Sequence, residues 1–225
     1  MKLHFHPAST ASRPVVLFCA EEKIAYEPVI VDILKGAHYE EPFVTLNPSK
    51  MVPVLQDGDL VLTESSAILK YLADKAGSAA YPKDLKQRAR VNERMDWFNT
   101  QQYREWGYHL IYPQVFPHHK RPSDESQKAT VEWGRDKSEQ WLKILDDHVL
   151  GKSKFLCGDA LTIADYFGAE ILSAGDLIGV SFHRFPHVDR WMGAMRALPN
   201  WKKVHETIDG FAASLKSQKF VTISA

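Results

Sequence analysis

Two periodicities alternate over the first eighty residues. Lys2–His6 reads as a short strand closed by Pro7. Ser12 is placed to cap a helix whose first turn contains Pro14, where a missing N–H costs nothing, and that helix runs to about Lys23. Tyr26–Val31 alternates and is rich in β-branched residues, the pattern of a second strand. Glu40–Leu46 suggests a short helix. Val52–Gln56 and Leu60–Leu62 flank Asp57-Gly58, a strong two-residue hairpin signal. Glu64–Lys75 carries Ala67, Ile68, Tyr71 and Leu72 on one helical face and Lys70, Asp74 and Lys75 on the other. The order β-α-β-α-β-β-α predicts a small mixed sheet with helices on its faces.

After Gly77–Pro82 the strand signals nearly vanish. Asp84 opens a long amphipathic segment with Val91, Met95, Phe98 and Gln102 at helical spacing. Ser123–Leu150, Thr162–Ile178, Pro186–Ala197 and Asn200–Ala213 read as further helices. The chain therefore divides into an α/β domain over residues 1–78 and an all-α domain over residues 85–225, with no internal repeat or low-complexity tract.

Composition narrows the function classes. The 225 residues carry 28 basic and 28 acidic side chains, for a formal net charge of zero. That balance offers no electrostatic footprint for nucleic acid or an anionic membrane. The longest apolar runs, such as Val15–Ala20, fall far short of the ~20 residues of a membrane span. No apolar stretch of a secretory signal precedes Glu21-Glu22. Cys19 and Cys157 form neither a disulfide framework nor a CxxC motif, so a reducing compartment is the default. The expectation is a soluble cytoplasmic protein with no nucleic-acid or membrane partner. His4 and His6, His118-His119, and His183 with His187 match no HExxH or Cys/His spacing, so no metal site is expected.

Four short signals bear on chemistry, and each has a plain structural reading. Val52-Pro53 puts a proline at the entry of a strand, where it removes a ladder donor. A trans bond would mark an edge strand; a cis bond would turn the Val52 backbone outward to pair with a bound peptide. Glu64-Ser65 opens a helix whose free N–H groups suit a carboxylate, with Glu64 available to an ammonium; the alternative is ordinary capping by Thr63. Ser9-Thr10-Ala11-Ser12-Arg13 places hydroxyls between the first strand and first helix, either as anion donors or as a capped loop. Thr162 and Asp165, with Leu161 and Tyr166 as a hydrophobic staple, form a capping box that is structural on any reading.

Read in order, the segment VDILKGAHYEEPFVTLNPSKMVPVLQDGDLVLTESSAILKYL, the SxxSR run from Ser9 and the Asp165 box resemble the cytosolic glutathione transferase family. KGAH and Ala89–Val91 are most similar to its theta-type members. The resemblance covers nearly the whole chain. It implies a thioredoxin-like first domain, an all-helical second domain, and glutathione as co-substrate with a small, hydrophobic electrophile and no metal. It implies that Ser9 donates a hydrogen bond to the glutathione sulfur, with Ser12 as the competing hydroxyl. It further implies that Val52, beside Pro53, pairs its backbone with the cysteinyl unit, that Glu64 and Ser65 hold the γ-glutamyl end, and that His38 meets the glycyl carboxylate. Tyr103, Trp106, Tyr108, Tyr112 and Phe116 are the expected electrophile-site walls, with Phe220 as a cover. A homodimer is implied, paired through Glu64–Lys75 and Arg88–Met95. The sequence departs from theta-type members in placing Met51 before the Val-Pro pair, with Lys50 one step earlier. No cysteine stands in the SxxSR loop, which argues against disulfide reductase chemistry. The alternative is a non-catalytic member that keeps the fold for binding or scaffolding.

Overall fold

The computed structural model describes residues 1–223. Its first half is a four-stranded sheet in the order β2-β1-β3-β4, formed by β1 (Lys2–Phe5), β2 (Glu27–Ile30), β3 (Val54–Asp57) and β4 (Leu60–Leu62). β1 runs parallel to β2 and antiparallel to β3, and β3 and β4 form the hairpin. The turn falls one residue later than the sequence suggests. Asp57 pairs with Leu60, leaving Gly58-Asp59 as the loop, with Gly58 at φ 63°. Asp57 stays in the strand because its carboxylate accepts from Tyr71 Oη at 2.6 Å and pairs with Lys75.

Helix α1 (Arg13–Glu21) links β1 to β2, and α3 (Ser65–Ala76) follows the hairpin, ending on Gly77 at φ 65°. The helix expected over Glu40–Leu46 shortens to α2 (Phe43–Leu46), starting after Pro42, whose ring disfavours helical geometry at the preceding Glu41, while Glu40 is extended. The Glu41–Pro42 and Val52–Pro53 bonds are both cis, the latter as the peptide-pairing reading of the sequence expects.

The second part is mainly helical, with an isolated bridge pairing Phe155 and Gly158. α4 (Leu85–Trp97) starts where the Asp84 carboxylate accepts the Gln87 N–H at 3.0 Å. It continues through π-helical turns over Phe98–Gln102 and Arg104–Ile111 into α5 (Tyr112–Val115). α6 (Asp124–Ile144) packs along this rod. They approach closely at Gly134, where an added Cβ would lie 2.6 Å from the His109 and Leu110 backbone. α7 (Ile163–Ser173) is buried at every position, and α8 (Pro186–Arg196) and α9 (Trp201–Ser214) complete the half.

Asp165 anchors α7. Its Oδ2 accepts the Thr162 N–H (2.8 Å) and hydroxyl (2.9 Å); its Oδ1 accepts the Leu156 N–H (2.8 Å) and Trp191 Nε1–H (3.0 Å). The capping box read from the sequence thus also clamps the preceding loop and α8. One continuous core joins the halves: α1 lies on α7, with the Phe18 and Tyr166 rings edge-on at 5.4 Å.

Candidate active site in the cleft between the halves

The chain leaving β1 turns at Ser9 before entering α1. The Ser9 carbonyl accepts the Ser12 and Arg13 N–H groups, each at 3.1 Å, and the Ser9 Oγ accepts the Ser12 N–H at 3.2 Å. Ser9 therefore leads α1, and Ser12, expected as the cap, makes no side-chain cap bond. Ser12 is fully buried, whereas Ser9 is half-buried and faces the cleft. The Ser9 hydroxyl already accepts from an amide, so its own proton is free to be donated into the cleft.

The N-terminus of α3 opens onto the same space. Its lead residue Glu64 sits at φ 63° and ψ 113°, an uncommon conformation for a residue with a Cβ, and makes no side-chain cap. Thr63 is not the cap. The first N–H groups of α3 are thus left for a ligand, beside a buried Ser65 and an exposed Glu64.

Asn47 shapes the third wall. Its amide donates to the Met51 carbonyl at 2.8 Å while its oxygen accepts the Ser49 N–H at 3.0 Å, folding residues 47–51 into a tight loop. Val52 and Pro53 follow, just ahead of β3 and outside its ladder. They line the cavity with His38, Lys50 and Met51.

The helical half supplies the opposite wall through Tyr103, Tyr108, Tyr112, Phe116 and Leu177. The Tyr103 and Tyr112 hydroxyls are hydrogen-bonded at 2.9 Å. Burial raises all three phenol pKa values, that of Tyr108 to about 12, so they stand as neutral donors. Trp106, expected on this wall, is a correction. It projects into the core, fully buried and stacked on Phe182 at 6.0 Å, because it lies on the opposite face of the rod. Phe220 is not among the cavity-lining residues; it packs on the core.

Together these walls enclose about 630 Å³, and they bring Ser9, His38, Val52, Pro53, Glu64, Ser65, Tyr103, Tyr112 and Phe116 to one cavity. Asn99, His118 and His119 also line it and were missed from sequence. The two histidines read as a solvated Pro-flanked loop, and only the packing of α5 beneath them brings them to the rim. Burial lowers the His38 and His119 imidazole pKa values, and neighbouring His118 adds to both effects. Among the described residues, no cluster of three His, Cys, Asp or Glu side chains is arranged to hold a metal ion. No helix among them is long and apolar enough to cross a membrane.

A sheet half with a peptide-sized cleft, closed by a helical half, defines a thioredoxin-fold enzyme architecture. Family models described as the glutathione S-transferase N-terminal and C-terminal domains match residues 1–74 and 109–199. Human glutathione S-transferase theta-2 is 34% identical over 200 residues, covering 88% of this chain and 81% of the relative. Glutathione S-transferase F7 of Arabidopsis thaliana is 32% identical, covering 91% and 98%. The crystal structure of human theta-2 in complex with glutathione and an unknown ligand superposes with a TM-score of 0.84 at 29% identity, over 100% of this chain and 93% of that one. The chain belongs to the glutathione S-transferase family, and theta-class members are among its relatives.

Proposed function

We propose that the cleft binds glutathione along the Ser9–Ser65 wall and conjugates its sulfur to small, hydrophobic electrophiles held against the tyrosine wall. The observation that carries this reading is the Ser9 hydroxyl, which accepts an amide of its own helix and keeps a free proton, in the same cavity as the uncapped start of α3.

The γ-glutamyl carboxylate meets the Ser65 hydroxyl and the first N–H groups of α3, and Glu64 takes the ammonium. The Val52 backbone, beside Pro53, pairs with the cysteinyl unit. His38 meets the glycyl carboxylate, with Lys50 supplying the cation absent at Met51. A free thiol has a pKa near 8.5, so little thiolate exists at neutral pH. Ser9 and the adjacent start of α1 stabilise the anion, and the thiol proton passes to solvent. The sulfur lone pair then forms the C–S bond, and a leaving group departs with its electron pair, or an unsaturated acceptor takes up the charge and is protonated. Neither Ser9 nor any other side chain becomes covalently modified. The glutathione unit is residues 1–78 and the electrophile unit residues 85–225.

The reading extends to a cytoplasmic homodimer that clears reactive electrophiles. Two cysteines that form no disulfide support the first element. Exposed Leu60 and Val61 on the edge strand β4 beside α3 support the second, and light scattering at micromolar concentration tests it.

The decisive experiment compares Ser9→Ala with Ser12→Ala, using ultraviolet titration of the bound thiol and conjugation to an activated aryl halide. A hydrogen bond to a charged group is worth ~1.5–3 kcal/mol, so Ser9→Ala raises the thiol pKa by roughly 1–2 units. Turnover at neutral pH falls about tenfold or more and partly recovers as pH rises. Ser12→Ala leaves the thiol pKa in place. If the two variants exchange these effects, or neither moves the pKa, the assignment of Ser9 fails.

A further inference from the structure

A buried and fully engaged charge lies behind the cleft, not in it. Arg13 follows the Ser9 loop and belongs to the sheet half, yet its guanidinium is buried among groups of the helical half. Nε donates to Glu170 Oε2 at 2.9 Å, and Nη2 donates to Ser173 Oγ at 2.9 Å and to the Glu170 carbonyl at 3.4 Å. Nη1 turns back to the Ala8 carbonyl at 3.0 Å, one peptide before Ser9. The Arg13 and Glu170 side chains are 1% and 0% exposed.

We propose that Arg13 is the positioning residue for Ser9: its planar fork hangs the Ala8–Ser9 backbone on α7, so the helical half sets where the Ser9 hydroxyl points. This rests on the reading of Ser9 as the sulfur contact.

The chemistry requires arginine. Only a guanidinium presents donors in several fixed directions at once; a lysine ammonium at the same site is a compact point charge on a flexible stem. The pull on Ala8 matters because a charge-assisted hydrogen bond is directional, and small displacements of a catalytic donor are costly. Glu170 gives the fork a fixed anchor. Burial pushes its carboxyl pKa up, but Arg13 and His205 outweigh that and hold it below the ordinary value. His205 Nε2 lies 3.0 Å from the same oxygen, and Asp209 lies 3.9 Å beyond the imidazole. Arg13, Glu170, His205 and Asp209 meet at this junction, with Tyr103 and Tyr112 facing the guanidinium and Asp176 facing His205 and Asp209.

A second cavity, of about 360 Å³, touches Arg13 from the far side, between α1 and α9. It offers a small cation a route to Glu170 when the arginine side chain is removed.

The test measures the pKa of the bound glutathione thiol in four proteins: wild type, Arg13→Lys, Ser9→Ala and the double variant. Arg13→Lys keeps the charge and loses the fork. It raises the thiol pKa by about 0.5–1 unit, so that kcat at pH 6.5 falls about three- to tenfold and recovers at alkaline pH. The KM for glutathione changes less than kcat, because Arg13 touches no part of the peptide. Adding Arg13→Lys to Ser9→Ala moves the pKa no further. In Arg13→Ala, millimolar methylguanidinium restores kcat at pH 6.5; should that variant fail to fold, Arg13→Lys carries the test.

If Ser9→Ala shifts the thiol pKa and Arg13→Lys does not, the positioning role is overturned while Ser9 stands. A shift of equal size from Arg13→Lys in the presence and absence of Ser9 also overturns it, because Arg13 would then act by another path. If Ser9→Ala leaves the pKa unchanged, the sulfur-contact reading falls and takes this inference with it.

Discussion

Replacing Asp165 with alanine tests how α7 is held, since this one carboxylate serves three neighbours. Four donors converge on it at 2.8–3.0 Å, from Leu156, from the amide and hydroxyl of Thr162, and from the indole of Trp191. Loss of the N-terminal cap costs about 0.5–2 kcal/mol. The Leu156 amide and the Trp191 indole are each left buried without an acceptor, at ~1–3 kcal/mol apiece. Removing a buried charge offsets part of this, leaving a net loss of about 3–5 kcal/mol. For a chain of this length each kcal/mol moves Tm by ~2–4 °C, so calorimetry should show a fall of roughly 6–20 °C. The loss also depends on pH. Burial pushes the Asp165 carboxyl up to about 6, above the ~3.9 of an unfolded chain. Between those values the folded protein takes up the proton first, so this residue's contribution to stability grows as pH falls through the window. The gap between wild type and Asp165→Ala should therefore widen from pH 7 toward pH 4.5. Conjugation assayed well below Tm should be little changed. An unaltered Tm with lost catalysis would refute the structural assignment.

Ser65→Ala removes a hydroxyl from the carboxylate-binding end and should raise the KM for glutathione about ten- to a hundredfold, from a hydrogen bond to charge of ~1.5–3 kcal/mol, with kcat affected less in steady-state assays. Gly134→Ala forces a methyl against rigid backbone at 2.6 Å and should lower stability by at least ~1–3 kcal/mol in denaturant unfolding. His6, His38 and His119 are held below the ordinary imidazole range, chiefly by burial. Below about pH 6.5 the unfolded chain takes up protons first, so their contribution to stability is present above that pH and is lost on acidification; His119→Gln should flatten the decline of Tm between pH 6.5 and 5.

Much of the fold is legible because local signals there agree with tertiary demands. Asp84, Ser123 and Thr162 each begin the helix their residue type predicts. Where long-range contacts decide, local reading slips. Ser12 has the composition of a cap but lies in αR geometry behind Ser9, which carries out that task one turn earlier. The hairpin loop moves by one residue because Tyr71 and Lys75, fourteen and eighteen positions away, hold Asp57 in the strand. The sheet-side wall of the cleft was readable because its residues fall in one ordered segment. The helical wall was half readable. Helical spacing gathers Tyr103, Trp106, Tyr108, Tyr112 and Phe116 on one stretch, but π-helical turns over Arg104–Ile111 change the angular step per residue. An α-helical wheel therefore cannot tell that Trp106 faces the core. Arg13 gave no signal beyond its place in SxxSR, since its partners on the helical half lie more than 150 positions along the chain.

That distribution of charge limits how such a protein can be recombined. Arg13 belongs to one half and its counter-charge Glu170 to the other, with neither accessible to solvent. Exchanging the helical half for one without a carboxylate at position 170 would strand a guanidinium in the interior, and the reciprocal exchange would strand a carboxylate. A buried charge that loses its partner costs about 3–5 kcal/mol, a large share of the stability of a single domain. The two halves therefore travel as a matched pair: a chimera that joins them cleanly at Gly77–Pro82 still fails unless its donor sequences agree at two positions far from the splice.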